Sequence, residues 1–126
     1  LGHLNGVKDN LNAIENLRIS SALAGNGIDE STAYASLQKM GLVGREILPV
    51  KVLSQGQRRR VTLARLLVSD TVLWILDEPL VALDTSAVLL VKGILEQHLE
   101  KGGMVVMTTH QDINIAAIET KRLQLN

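Results

Sequence analysis

The run Val72-Leu73-Trp74-Ile75-Leu76 constrains this chain more than any other segment. Five apolar residues follow one another without polar alternation and are closed by Asp77-Glu78-Pro79. A strand with one wet face alternates apolar and polar side chains, whereas a continuous apolar run is the pattern of a strand covered on both faces. The sequence therefore predicts a strand here, buried on both faces and ended by Pro79. Ser54, with Gln57 three residues later, forms a capping box that starts a helix running to about Ser69. Asp84 and Thr85 can cap the next helix, where Ala87, Val88, Val91, Ile94, Leu95 and Leu99 cover one broad arc. Gly102-Gly103 stop it, and Met104-Val105-Val106-Met107 reads as a second buried strand. A short helix from about Asp112 and a last strand near 122–125 complete the pattern. Helices alternating with strands imply an α/β fold with a parallel sheet.

Residues 1–52 have another texture. Leu11, Ile14 and Leu17 recur at three-residue spacing between Asn10 and about Leu23, as on one helical face. Ala24-Gly25-Asn26-Gly27 reads as a loop. Asp29 caps a second helix with Ala33, Leu37 and Met40 on its inner face, and Gly41 ends it. Leu1 falls in what reads as the middle of a strand, so the chain is expected to be part of a longer protein.

Composition removes several functions. The 13 basic residues balance 13 acidic ones, against nucleic-acid binding through bulk basicity. Tyr34 and Trp74 are the only aromatic residues, too few for a base-stacking platform. Without cysteine there is neither a disulfide framework nor a thiolate metal site. A hydrophobic fraction of 46% supports a core and excludes disorder. No apolar run is long enough to span a bilayer, and no signal peptide opens the sequence.

Three segments carry chemistry. Asp77 and Glu78 stand at the carboxyl end of the apolar strand, where open α/β sheets bind ligands. On pattern alone, a wet acidic strand end and a ligand site are equally open. As a site, Asp77 would hold Mg²⁺, usually through a water, and Glu78 would deprotonate an attacking water. The segment Ser54-Gln55-Gly56-Gln57 is either a well-capped helix start or a phosphate site using the free N–H groups and positive dipole end of that helix. Gly56 would permit close approach of the backbone, and Ser54 would add a hydroxyl donor. The run Arg58-Arg59-Arg60 reads as a solvated helix face with stems packed on neighbours, in preference to an anion patch. His110 follows the second strand, from which it can reach a terminal phosphate. His3 and His98 read as structural or exposed, and Trp74 as core.

The order of these segments, with Ala82-Leu83-Asp84 between the carboxylates and His110, closely resembles the ABC-type ATPases, in which they are the signature motif, Walker B motif, D-loop and switch histidine. Ile14-Glu15-Asn16-Leu17 looks like the start of that family's helical subdomain. The resemblance implies the P-loop NTPase fold, with a helical subdomain at 1–52 and the C-terminal half of the RecA-like core at 53–126. Leu73–Pro79, Leu63-Ala64-Arg65-Leu66, Gly102-Gly103 and Thr108-Thr109-His110-Gln111 are similar to the ATP-binding subunits of haem exporters for cytochrome c maturation.

The resemblance implies two subunits paired head to tail with ATP and Mg²⁺ between them. Ser54, Gln55, Gly56 and Gln57 would bind the γ-phosphate in trans, and Asp77 would hold the metal shell. Glu78 would activate water, His110 would sense the γ-phosphate, and Asp84 would cross the dimer interface. The partners would be a second nucleotide-binding subunit and membrane permease subunits, at the cytoplasmic face of the inner membrane or its organellar equivalent. A soluble ABC ATPase acting on DNA or ribosomes, and a non-catalytic remnant kept as an interaction module, are the alternatives. Two departures matter. Residues 1–126 lack G-x-x-x-x-G-K-[ST], so residues 1–126 alone are expected to be inactive, with the loop upstream. Leu4 stands where the family's Q-loop glutamine is expected, and leucine cannot contact Mg²⁺.

Overall fold

The computed structural model describes residues 10–108. His3, Leu4, His110, the helix expected from Asp112 and the strand expected near 122–125 lie outside the described residues. The elements in order are α1 (Ala13–Leu23), α2 (Glu30–Lys39), a 3₁₀ turn (Val50–Val52), α3 (Gln55–Val68), β1 (Leu73–Asp77), α4 (Thr85–Glu100) and β2 (Met104–Thr108). β1 and β2 pair in parallel, from Leu73 opposite Met104 to Asp77 opposite Thr108. The strand–helix–strand unit expected from the alternating pattern is present, with α4 as its crossover.

Local chemistry sets most boundaries. Asn12 and Glu15 form a capping box, so α1 begins at Ala13, three residues later than the apolar spacing alone indicates. Asp29 caps α2 through the Thr32 amide, at 2.7 Å. Gly41 ends α2 with φ 79°, a left-handed conformation that side chains disfavour. The segment between α2 and α3 clasps the start of α1: Ile14 N–H donates to Glu46 O at 3.3 Å, and Val50 N–H to Leu11 O at 2.9 Å.

The helices α1, α2 and α3 pack on one another, α4 touches α3, and α4 lies against β2. One apolar cluster runs from Ile14 and Leu17 through Leu37, Met40 and Leu63 to Trp74, Val91 and Leu95. Each fully buried leucine contributes about 1.5–3 kcal/mol. No helix among the described residues is long and apolar enough to cross a membrane.

The expectation of strands buried on both faces is corrected. Trp74 and Leu76 are buried, but Ile75 is 53% exposed and Leu73 40%. Met104 and Val106 continue that open face on β2. Among the described residues the sheet has two strands with the crossover helix against one side, so there the apolar run is covered on one face and open at alternate positions.

Candidate functional site

The carboxyl ends of β1 and β2 lie side by side, and Thr108 joins them. Its hydroxyl donates to Asp77 Oδ1 at 2.5 Å and accepts from the Glu78 amide at 3.1 Å. The same amide donates to Thr108 O at 3.0 Å. Glu78 has φ 48°, in the left-handed region. For a residue with a Cβ this conformation costs roughly 1–2 kcal/mol and persists where neighbouring groups impose it.

Arg59 holds the other side of that residue. From α3, its Nη2 donates to the main-chain carbonyl of Glu78 and, at 3.4 Å, to that of Asp77. The Val81 amide also donates to Glu78 O, at 3.3 Å, and closes the turn after the strand. Burial pulls the Arg59 pKa below its ordinary value, against the opposing pull of the Asp77 and Glu78 charges. The group remains a cation.

At the start of α3, Ser54 Oγ accepts from the Gln57 amide at 3.1 Å, and Gln57 Oε1 from the Ser54 amide at 2.9 Å. The capping box is therefore formed. The amides of Gln55 and Gly56, in the helix's first turn, have no partner among the described residues. Gly56 permits a close approach, and the group that approaches is the chain itself: a Cβ there would stand 2.9 Å from Ala82 O. Asp84 caps α4 through the Ala87 amide at 2.8 Å and accepts from Arg60 Nη2 at 3.4 Å. Arg60 Nη1 donates to Met40 O, the C-cap of α2, at 3.1 Å.

The arginine run departs from the solvated face expected of it. Arg58 is exposed, but Arg59 and Arg60 are half-buried with their guanidinium groups on carbonyls at the ends of β1 and α2. Helix and strand ends leave such carbonyls unpaired, and arginine supplies five donors. Consecutive helix positions point about 100° apart, so the two residues serve different elements. Thr108, Arg59 and Arg60 are the residues that sequence reasoning missed. The Asp77–Thr108 register marks the first of them only once the strands are paired. His98 stacks on Trp74, with centroids 3.6 Å apart, and its Nε2 lies 2.7 Å from Val72 O, a structural role as expected.

The donor set suits a divalent cation whose remaining ligands come from elsewhere. Asp77 is exposed and offers hard carboxylate oxygens. Among the described residues no group of three or more His, Cys, Asp or Glu could form a metal cage. A single exposed carboxylate of this kind is a ligand that Mg²⁺ accepts where substrate phosphates supply the others.

A family model described as ABC transporter matches residues 2–81. The chain is 74% identical over 125 residues to the cytochrome c biogenesis ATP-binding export protein CcmA of Nitrosospira multiformis, covering 99% of this chain and 61% of that protein. It is 64% identical over 126 residues to the protein of the same name from Nitrosomonas europaea, covering 100% of this chain and 59% of that one. It thus spans about three-fifths of the length of these curated relatives. Among solved structures, the dimeric ATP-binding cassette MJ0796 bound to ADP and Pi superposes with a TM-score of 0.74 at 25% identity, over 88% of this chain and 50% of that one.

Proposed function

The chain belongs to the ABC transporter family, and from that premise we propose that it supplies the signature helix, the catalytic strand end and the following loop to an ATP-hydrolysing subunit. ATP is the substrate, and the phosphate loop that residues 1–126 lack is supplied by the rest of the subunit. Residues 1–52 serve as its helical part with the Q-loop region, and 53–126 as part of the ATP-binding core. Residues 1–126 alone have no turnover.

The observation that carries this proposal is the grip on Glu78, whose backbone is held in a left-handed conformation by Thr108 on one side and Arg59 on the other. A backbone fixed so firmly sets the direction in which the Glu78 side chain leaves the strand end, the first requirement for placing a general base. Asp77 holds Mg²⁺, which supplies charge neutralisation on the phosphates when bound. His110, two residues after β2 in the sequence, contacts the γ-phosphate. In a homodimer, Ser54, Gln55, Gly56 and Gln57 bind the partner's nucleotide through the first-turn amides of α3, and Asp84 reaches across the interface. The dimeric form of MJ0796 supports this pairing.

The names of the relatives support a role in cytochrome c biogenesis. We assign the complete subunit to haem export or a related step, bound peripherally to permease subunits at the cytoplasmic face of the membrane. Glu78→Gln in the complete subunit tests the core of this assignment. ATP turnover should be lost while an ATP-dependent dimer accumulates, and continued fast hydrolysis would remove Glu78 from the role of base. Copurification with membrane permease subunits separates the transporter from a soluble ABC ATPase.

A further inference from the structure

We infer that Arg59 is a positioning residue for the water-activating carboxylate, a mechanical link between the phosphate-binding start of α3 and Glu78; this rests on the assignment of Glu78 as the base. Arg59 sits in the second turn of α3, five residues after the Ser54 cap. Its Nη2 grips the carbonyl of Glu78 and lies 3.4 Å from that of Asp77. From the opposite side, the Glu78 amide is held by Thr108 O and Oγ1, at 3.0 and 3.1 Å.

Glu78 occupies a conformation that the backbone does not prefer, with φ 48°. It stays there because both of its flanking peptides are fixed. Without Arg59 the Glu78 carbonyl is left with the 3.3 Å bond from the Val81 amide inside its own turn, which ties it to nothing outside that turn, and the residue can relax toward a more favourable φ/ψ. A backbone rotation of roughly 20° carries a glutamate carboxylate about 1 Å, and misplacement by that distance costs on the order of 100-fold in rate. Thr108 belongs to the neighbouring strand and moves with the sheet. Arg59 belongs to the helix whose first-turn amides of Gln55 and Gly56 are left for a ligand. A shift of that helix end therefore reaches the Glu78 carbonyl itself through the Arg59 side chain, while the Gly56–Ala82 contact meets the loop four residues further on. In the head-to-tail dimer these two features serve different nucleotides. Occupancy of one site is consequently conveyed to the base of the other within a single subunit.

The contact uses a single terminal nitrogen for both carbonyls. Lysine, with one charged nitrogen on a flexible stem, can replace it, whereas methionine keeps the length without a donor. The test is steady-state ATP hydrolysis by the complete subunit carrying Arg59→Met, Arg59→Lys or Glu78→Gln. Arg59→Met should lower kcat about tenfold or more, with KM for ATP within about twofold and the thermal midpoint little changed. Arg59→Lys should restore most of kcat. An unchanged kcat in Arg59→Met overturns the inference. So does an equal loss in both Arg59 variants accompanied by a lowered melting temperature, which marks a fold support. If Arg59→Met does not fold, Arg59→Gln takes its place as the loss variant; if only Arg59→Lys folds, the residue determines the fold and the inference fails. Turnover retained in Glu78→Gln brings down the assignment of Glu78 itself. Turnover lost there, with full kcat in Arg59→Met, brings down only the role of Arg59.

Discussion

Gly56 packs so closely against the carbonyl oxygen of Ala82 that a Cβ on residue 56 would stand 2.9 Å from it. The start of α3 and the loop after β1 are therefore seated on each other, and the loop keeps Ala82 at φ 67° to present that carbonyl. Gly56→Ala must push the carbonyl away, with an expected loss of about 1–3 kcal/mol. Ala82→Gly removes a Cβ from a left-handed position, and that relief offsets the greater freedom of the unfolded chain, for a net effect between zero and about 1 kcal/mol of stabilisation. Thermal melts of the two variants should move apart. A similar loss in both would mean that the contact does not set the geometry of this loop.

Thr108 is the second group on which the carboxylate pair depends. Thr108→Val keeps the shape and the main-chain bond to the Glu78 amide but removes the hydroxyl that bridges Asp77 Oδ1 and that amide. The expected stability loss is about 1 kcal/mol, since the site is open and water can replace the bond to Asp77. Turnover of the complete subunit should fall further than this loss accounts for, and Thr108→Ser should recover it. Equal activity in the valine and serine variants would take the hydroxyl out of the site.

Much of this arrangement is legible in the sequence because its causes are local. Ser54 with Gln57, Asp29 with Gly41, and Asp84 before Ala87 are all capping signals, and each marks a helix end in the structure. Asp77 and Glu78 were readable as a strand end because polarity changes there within one residue. What was not legible depends on pairing between distant segments. Arg59 and Arg60 look like any charged helix face until the ends of β1 and α2 are placed beside them. Thr108 acquires its role only through the register of β1 with β2. The apolar run of β1 cannot by itself tell whether one face or both are covered, because hydrophobicity records the burial a strand tolerates and not what lies over it.

Arg60 ties the end of α2 to the loop before α4, and its two contacts are of unequal weight. The bond to Met40 O satisfies a helix-end carbonyl from a half-buried side chain. The ion pair with Asp84 is 3.4 Å long, with the aspartate side chain 71% exposed. Exposed pairs contribute about 0–1 kcal/mol. Asp84→Asn keeps the cap on the Ala87 amide and should be nearly neutral, whereas Asp84→Ala loses the cap at a cost of about 1 kcal/mol. Arg60→Met should exceed Asp84→Asn in cost, because it strands the Met40 carbonyl. Denaturant titration ranks the three variants, and an Asp84→Asn loss as large as that of Arg60→Met would show the ion pair to be the stronger contact.

Asp29 makes the stability of α2 depend on acid. Its carboxylate accepts from the Thr32 amide at 2.7 Å. That bond, then the bond from the Thr32 side chain, holds its pKa below the ordinary aspartate value. A folded-state pKa below the unfolded one stabilises the fold wherever pH exceeds the unfolded value, and the contribution disappears as pH falls through the folded value. The unfolded value lies near 4. The native chain should therefore keep this contribution at neutral pH and lose it progressively as pH falls past the unfolded value and through the lower folded one. Asp29→Asn supplies the same cap without a titrating group, so its stability carries no such term. Thermal midpoints of the two proteins, compared across that window, should differ most at neutral pH in favour of aspartate and converge in acid. A difference that is constant with pH would mean that the Asp29 charge plays no part in holding the helix end.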